Sequence, residues 1–183
     1  MVNQLLAIRC IGRYLVHGFF NRLNQNHAVN FMEIVMRPIA FVKNSRKDLS
    51  DDFWGSIISE IELAESVPSD AFNGINEFSH LEIIFYFDQT DKSKTVWKGH
   101  PRGNKQWPEV GIFAQRKKDR PNSIGLTVVE LLERKGNTLT VRYLDAIDGT
   151  PIIDIKPVMK EFLPMTSVRQ APWSSELMKE YWH

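Results

Sequence analysis

Two runs of alternating apolar residues, 124–132 and 138–144, stand on either side of Lys135-Gly136-Asn137. A period of two with a glycine-bearing break between the runs predicts a β-hairpin, which commits its surroundings to an antiparallel sheet. Residues 81–87 form a nearly continuous apolar run, the pattern of a strand buried on both faces. Residues 57–63 end in alternation, with Glu62 between Ile61 and Leu63, and Arg37-Pro38-Ile39-Ala40-Phe41-Val42 supplies an earlier strand. Helical signals are short. Residues 68–74 read as one turn, and Ser174 is placed to cap a final helix in which Leu177 meets Tyr181 and Met178 meets Trp182. The expected class is mainly β: a single-sheet antiparallel β-barrel, closed or half-closed, with short helical turns and a C-terminal helix.

A chain of 183 residues, 43% hydrophobic, suits one domain with a modest extension. Residues 1–31 carry Arg9, Arg13 and Arg22 and no acid. Leu5, Leu6, Ile8, Ile11, Leu15, Phe19 and Phe20 fit one face of a helix there. Such a basic amphipathic segment reads either as a targeting peptide or as a start assigned too early, with Met32 or Met36 as the working start; the second is favoured. The domains expected are therefore an extension over 1–31, a barrel over 36–164 and a helical tail over 165–183. Cys10 is the sole cysteine, so no disulfide or cysteine zinc site can form within the chain and a reducing, cytoplasmic setting follows. No run of about 20 apolar residues exists, so no transmembrane helix is expected.

Charge is concentrated. Residues 92–120 contain Lys92, Lys94, Lys98, Arg102, Lys105, Arg116, Lys117, Lys118 and Arg120 against Glu109 and Asp119, inside a chain of net charge +1. The segment is either a solvated lysine-rich loop or a local field that docks an anion. The dinucleotide fingerprint and the phosphate loop are absent, because no two glycines form a Gly-x-Gly pair, and Gly-x-Ser-x-Gly and His-Glu-x-x-His are missing as well. His100-Pro101-Arg102-Gly103, between Trp97 and Trp107, can stack and neutralise a nucleotide, or can be a stiff loop whose tryptophans cover a barrel end. Asp88-Gln89 ends the apolar strand, where polar groups at a barrel mouth either contact a ligand or cap a turn.

Five ordered motifs carry a resemblance: Glu77-Phe78-Ser79-His80-Leu81, His100-Pro101-Arg102-Gly103, Gly111-Ile112-Phe113-Ala114-Gln115-Arg116, Arg120-Pro121-Asn122-Ser123-Ile124-Gly125-Leu126, and the run from Leu144-Asp145 to Pro157. Over about residues 36–164 the chain resembles the TsaA-like family of methyltransferases. That resemblance implies a barrel that binds S-adenosylmethionine without a Rossmann fold and without metal, typically as a homodimer. It also implies methylation of the exocyclic nitrogen of threonylcarbamoyladenosine, beside the anticodon of tRNA. Cofactor contacts then fall on Asp88, Gln89, Arg116, Leu126, Arg142, Tyr143, Leu144 and Asp145, with Trp54 or Tyr143 offering an aromatic face to the sulfonium.

Arg116 would pair with the methionine carboxylate, and Arg102, Lys117, Lys118 and Arg120 would meet RNA phosphates. Asp145, Asp148 or His100 would take the proton from the nucleophilic nitrogen. The chain departs from the family in having Asp88 where histidine is common and Ser123 where proline is. It also has Asp51-Asp52-Phe53-Trp54-Gly55 where a Pro-Arg-Gln motif contacts the cofactor. These departures keep two alternatives open: a methyltransferase for a small molecule, and a non-catalytic module that binds S-adenosylmethionine.

Overall fold

The computed structural model describes residues 8–10, 34–91 and 93–183. The chain divides into two compact units, residues 1–37 and 38–183. In the first, β1 (Ile8–Cys10) pairs antiparallel with β2 (Ile34–Met36), Ile8 opposite Met36. A strand thus replaces the helix expected across residues 8–10. The remainder of the 1–31 expectation, and Lys92, lie outside the described residues.

The second unit contains β3 (Ala40–Lys43), β4 (Ile58–Leu63), β5 (His80–Tyr86), β6 (Lys98–Gly99), β7 (Val110–Gly111), β8 (Ile124–Lys135), β9 (Thr138–Arg142) and β10 (Pro151–Pro157). A single α-helix, α1 (Pro172–Leu177), follows among the described residues. Six strands close into an antiparallel barrel in the order β10-β3-β4-β9-β8-β5, as the strand pattern implies. Alternation selects the inner face. Ser59, Ile61 and Leu63 of β4 point in while Glu60 and Glu62 point out. Leu81, Ile83, Phe85, Val129, Leu139, Val141 and Ile152 fill the interior.

Several expectations are adjusted. β5 is a one-sided strand and not doubly buried: Glu82 and Ile84 are only half-buried between inward Leu81, Ile83 and Phe85. The hairpin turn is the two residues Gly136-Asn137, with Lys135 opposite Thr138. Gly136, at φ 58, takes the left-handed first position of a type II′ turn. The strand at Gly111 ends at once in a 3-10 turn over Ile112–Ala114. Further on, Ser123 adopts a positive φ, of 50. Ser174 does not cap α1. Ala171 is the N-cap, Pro172 occupies the first turn, and the Ser174 hydroxyl donates back to the Ala171 carbonyl. Tyr181 and Trp182 lie beyond the helix end.

Because consecutive barrel strands alternate in direction, the connections alternate between the two ends. The β3–β4, β5–β8 and β9–β10 connections share one rim, and every predicted site residue belongs to those connections or to the strand ends beside them.

Candidate active site at one rim of the barrel

Asp145 lies just after β9 and is half-buried. Its two oxygens are held separately: the buried Thr127 hydroxyl of β8 donates to Oδ1, and the Tyr181 hydroxyl donates to Oδ2 at 2.5 Å. One residue before Thr127, the Leu126 carbonyl accepts from the Arg116 guanidinium. Consecutive positions of β8 therefore bring an exposed arginine and a fixed carboxylate to one place, although 29 residues separate them in sequence. Burial, together with the charge and hydrogen bond of Asp145, raises the Tyr181 phenol well above its ordinary value. Tyr181 consequently stays a protonated donor throughout the neutral range.

Aromatic rings adjoin this pair. Tyr143, held at φ 68, meets Trp182 edge to face at 5.6 Å, and Trp182 meets Tyr181 at 4.9 Å. The Arg142 guanidinium lies 5.9 Å from the Tyr143 ring and 3.4 Å from Glu130. Leu144 is fully buried in the core, so its backbone alone can face a ligand. Asp88 and Gln89 are exposed. With Leu49, Lys118 and Thr150 they line a crevice of about 40 Å³.

Trp54 departs from its expected role. It is only 5% exposed, with the Arg46 guanidinium 4.0 Å from its ring centroid. Buried, with Arg46 over one face, the ring leaves no exposed face for a sulfonium. Arg46, which the sequence does not single out, is buried and shapes this loop by donating to the carbonyls of Ser50, Asp52 and Phe53 at 2.7–3.2 Å. Asp148 is a latch between loops: its Oδ1 accepts the Asn44 N–H at 3.2 Å, and its own N–H donates to the Arg46 carbonyl.

His100 is half-buried, with Nδ1 2.7 Å from the Trp107 carbonyl. A carbonyl only accepts, so Nδ1 is the donor in this bond and Nε2 is the ring nitrogen left for another partner. Trp107 does not stack free: its indole N–H donates to Glu176 at 2.8 Å beside Trp173.

The basic segment is largely paired. Arg102 grips Asp52 with two bonds of 2.6 and 2.7 Å. Lys117 lies 3.2 Å from Asp119 and Lys118 lies 3.9 Å from Asp51. Arg120 donates to the Gln115 carbonyl at 3.2 Å. Lys98 pairs with Glu109 at 2.9 Å, which raises the lysine and lowers the carboxyl. Among the described residues no cluster of histidine, cysteine or carboxylate side chains is suited to a metal ion, and no helix is long and apolar enough to cross a membrane.

A closed six-strand barrel whose polar groups gather at one loop-bearing rim is the architecture of a small ligand-binding barrel. Residues 51–162 match the family model described as the tRNA-methyltransferase O N-terminal domain. A probable S-adenosyl-L-methionine-binding protein of Pyrococcus abyssi is 37% identical over 140 residues, 74% of each chain. One of Methanothermobacter thermautotrophicus is 38% identical over 133 residues, covering 71% of this chain and 93% of that one. The tRNA (adenine(37)-N6)-methyltransferase of Escherichia coli is 40% identical over 112 residues, 56% of this chain and 46% of that protein. The crystal structure of TrmO from Pseudomonas aeruginosa superposes with a TM-score of 0.64 at 24% identity, over 79% of this chain and 63% of that one. The chain belongs to the TrmO family, and spans less than two thirds of that solved relative.

Proposed function

We propose that this chain binds S-adenosylmethionine at the loop-bearing rim and methylates the exocyclic nitrogen of threonylcarbamoyladenosine beside the anticodon of tRNA. The observation that carries the reading is the convergence of Arg116 and a doubly held Asp145 on β8, in a chain matching relatives named for S-adenosylmethionine binding and tRNA methylation. The donor set suits such a molecule. Asp145 receives one bond on each oxygen and keeps acceptor capacity for amino or ribose donors. Arg116 offers a planar fork to a carboxylate. The exposed Leu126 side chain and the Tyr143 ring add apolar surface.

When bound, the cofactor supplies an electrophilic methyl group. The protein's part is alignment and exclusion of water, and near-attack placement contributes about 7–11 kcal/mol in well-oriented reactions. The proton falls to His100 Nε2, because Asp148 serves as a loop latch and Asp145 holds the donor. Lys117, Lys118 and Arg120 meet phosphates by exchanging their internal partners for RNA. A homodimer in the cytoplasm completes the proposal.

The pairing of Arg102, Lys117 and Lys118 with carboxylates favours a second reading, a methyltransferase for a small uncharged acceptor. Incubating the protein with methyl-labelled S-adenosylmethionine and tRNA from cells lacking the modification decides between them. Label in the nucleoside derived from threonylcarbamoyladenosine is expected. Label confined to small molecules of a cell extract contradicts the tRNA reading.

A further inference from the structure

The family match ends at residue 162, yet residues 171–183 reach the rim and touch it at three separate places. At α1, Trp107 of the β5–β8 connection donates to Glu176 and its ring lies 6.4 Å from that of Trp173. Beyond the helix, the Phe53 and Trp54 N–H groups donate to the Glu180 and Tyr181 carbonyls at 3.1 and 2.9 Å. At Gly55, a β-carbon would stand 1.7 Å from the Trp182 carbonyl oxygen, so the chain crosses this loop at a distance that only glycine permits. The third contact is the Tyr181 hydroxyl on Asp145. Backbone bonds thus locate Tyr181 independently of Asp145.

We propose that Tyr181 is a positioning residue of the methyl-donor site: its hydroxyl, delivered by a C-terminal strap, fixes the Asp145 carboxylate in the plane that receives the donor's hydrogen-bonding groups. The inference rests on the reading that Asp145 contacts the donor. A single hydroxyl on one oxygen leaves a carboxylate free to turn about its Cβ–Cγ bond. Thr127 on Oδ1 and Tyr181 on Oδ2 remove that freedom, and each oxygen keeps a lone pair for ligand. Neither donor carries a charge, so the carboxylate is oriented without being neutralised. The edge-to-face contact of its ring with Trp182 survives loss of the hydroxyl, so Tyr181→Phe removes the hydrogen bond and keeps the packing.

Titration calorimetry with S-adenosylmethionine on the intact chain, and on Tyr181→Phe, Asp145→Asn and the double variant, tests this. Tyr181→Phe is expected to weaken binding about tenfold, the scale of a hydrogen bond to a charged group, with unchanged amide protection over residues 178–183, where backbone bonds hold the strap. In the Asp145→Asn background the same change is expected to have no further effect, a result that a purely structural tyrosine would not give. Unchanged or tighter binding by Tyr181→Phe overturns the proposal, as does an equal loss in both backgrounds. A wild-type chain that binds no donor overturns the functional reading itself, which separates that failure from this one.

Discussion

The two rims of the barrel solve the same problem, turning the chain between antiparallel strands, by different means. At the far rim the left-handed conformations fall on glycines, Gly74 and Gly136. At the site rim Gly103 and Gly149 are joined by four other residues at positive φ: Phe53, Arg102, Ser123 and Tyr143. A left-handed conformation costs a non-glycine residue about 1–2 kcal/mol. The site rim accepts that cost in each of its connections, and three of the four residues stand beside a group that holds a candidate ligand contact or the strap. Phe53 donates its N–H to Glu180, Arg102 grips Asp52, and Tyr143 meets Trp182 two positions before Asp145. The far rim combines a tight hairpin with a connection tied down by Arg134, which donates to Asn73 and the Ser69 carbonyl, and both of its left-handed turns use glycine.

Three variants break or sharpen this contrast. The largest effect is expected from Gly55→Ala, whose added carbon meets a backbone oxygen that cannot rotate away. The strap should leave the rim, seen as lost hydrogen-exchange protection over residues 178–183 and a fall of at least about tenfold in donor affinity. Retained protection there would show that the strap does not depend on this crossing. Next, replacing Lys117, Lys118 and Arg120 together with alanine should flatten the salt dependence of tRNA binding by about 0.7–0.9 per lost phosphate contact. Donor affinity should hold, and an unaltered slope would place the RNA elsewhere. The smallest functional effect belongs to Gly136→Ala. With open space around the site, the change costs only its left-handed backbone, about 1–2 kcal/mol in a urea melt, and leaves donor binding as it was. Lost binding would mean that the two rims are not independent.

The strands were legible because alternation is local. Residues 58–63 and the hairpin across Gly136-Asn137 announce their faces within a few positions. Asp145 and Arg116 could be named from motifs, but their meeting on Leu126 and Thr127 depends on barrel closure. Counting charge along residues 92–120 overstated the basic field, since Asp51 and Asp52, which pair with Lys118 and Arg102, lie 67 and 50 residues before them in the chain. Trp54 looked like an open aromatic face because nothing in its neighbourhood marks Arg46 as its cover. The strap gave least sign of itself. Its docking is made of backbone carbonyls, which any sequence carries, and the one local clue was a glycine at position 55.

Calorimetric titration of the purified chain with S-adenosylmethionine, beside Arg116→Ala, tests the central claim most directly. Saturable one-site binding by the wild type, lost in Arg116→Ala while the fold is retained, is the expected result. No heat from the wild type at millimolar donor, or equal affinity in both proteins, would contradict the assignment of this rim.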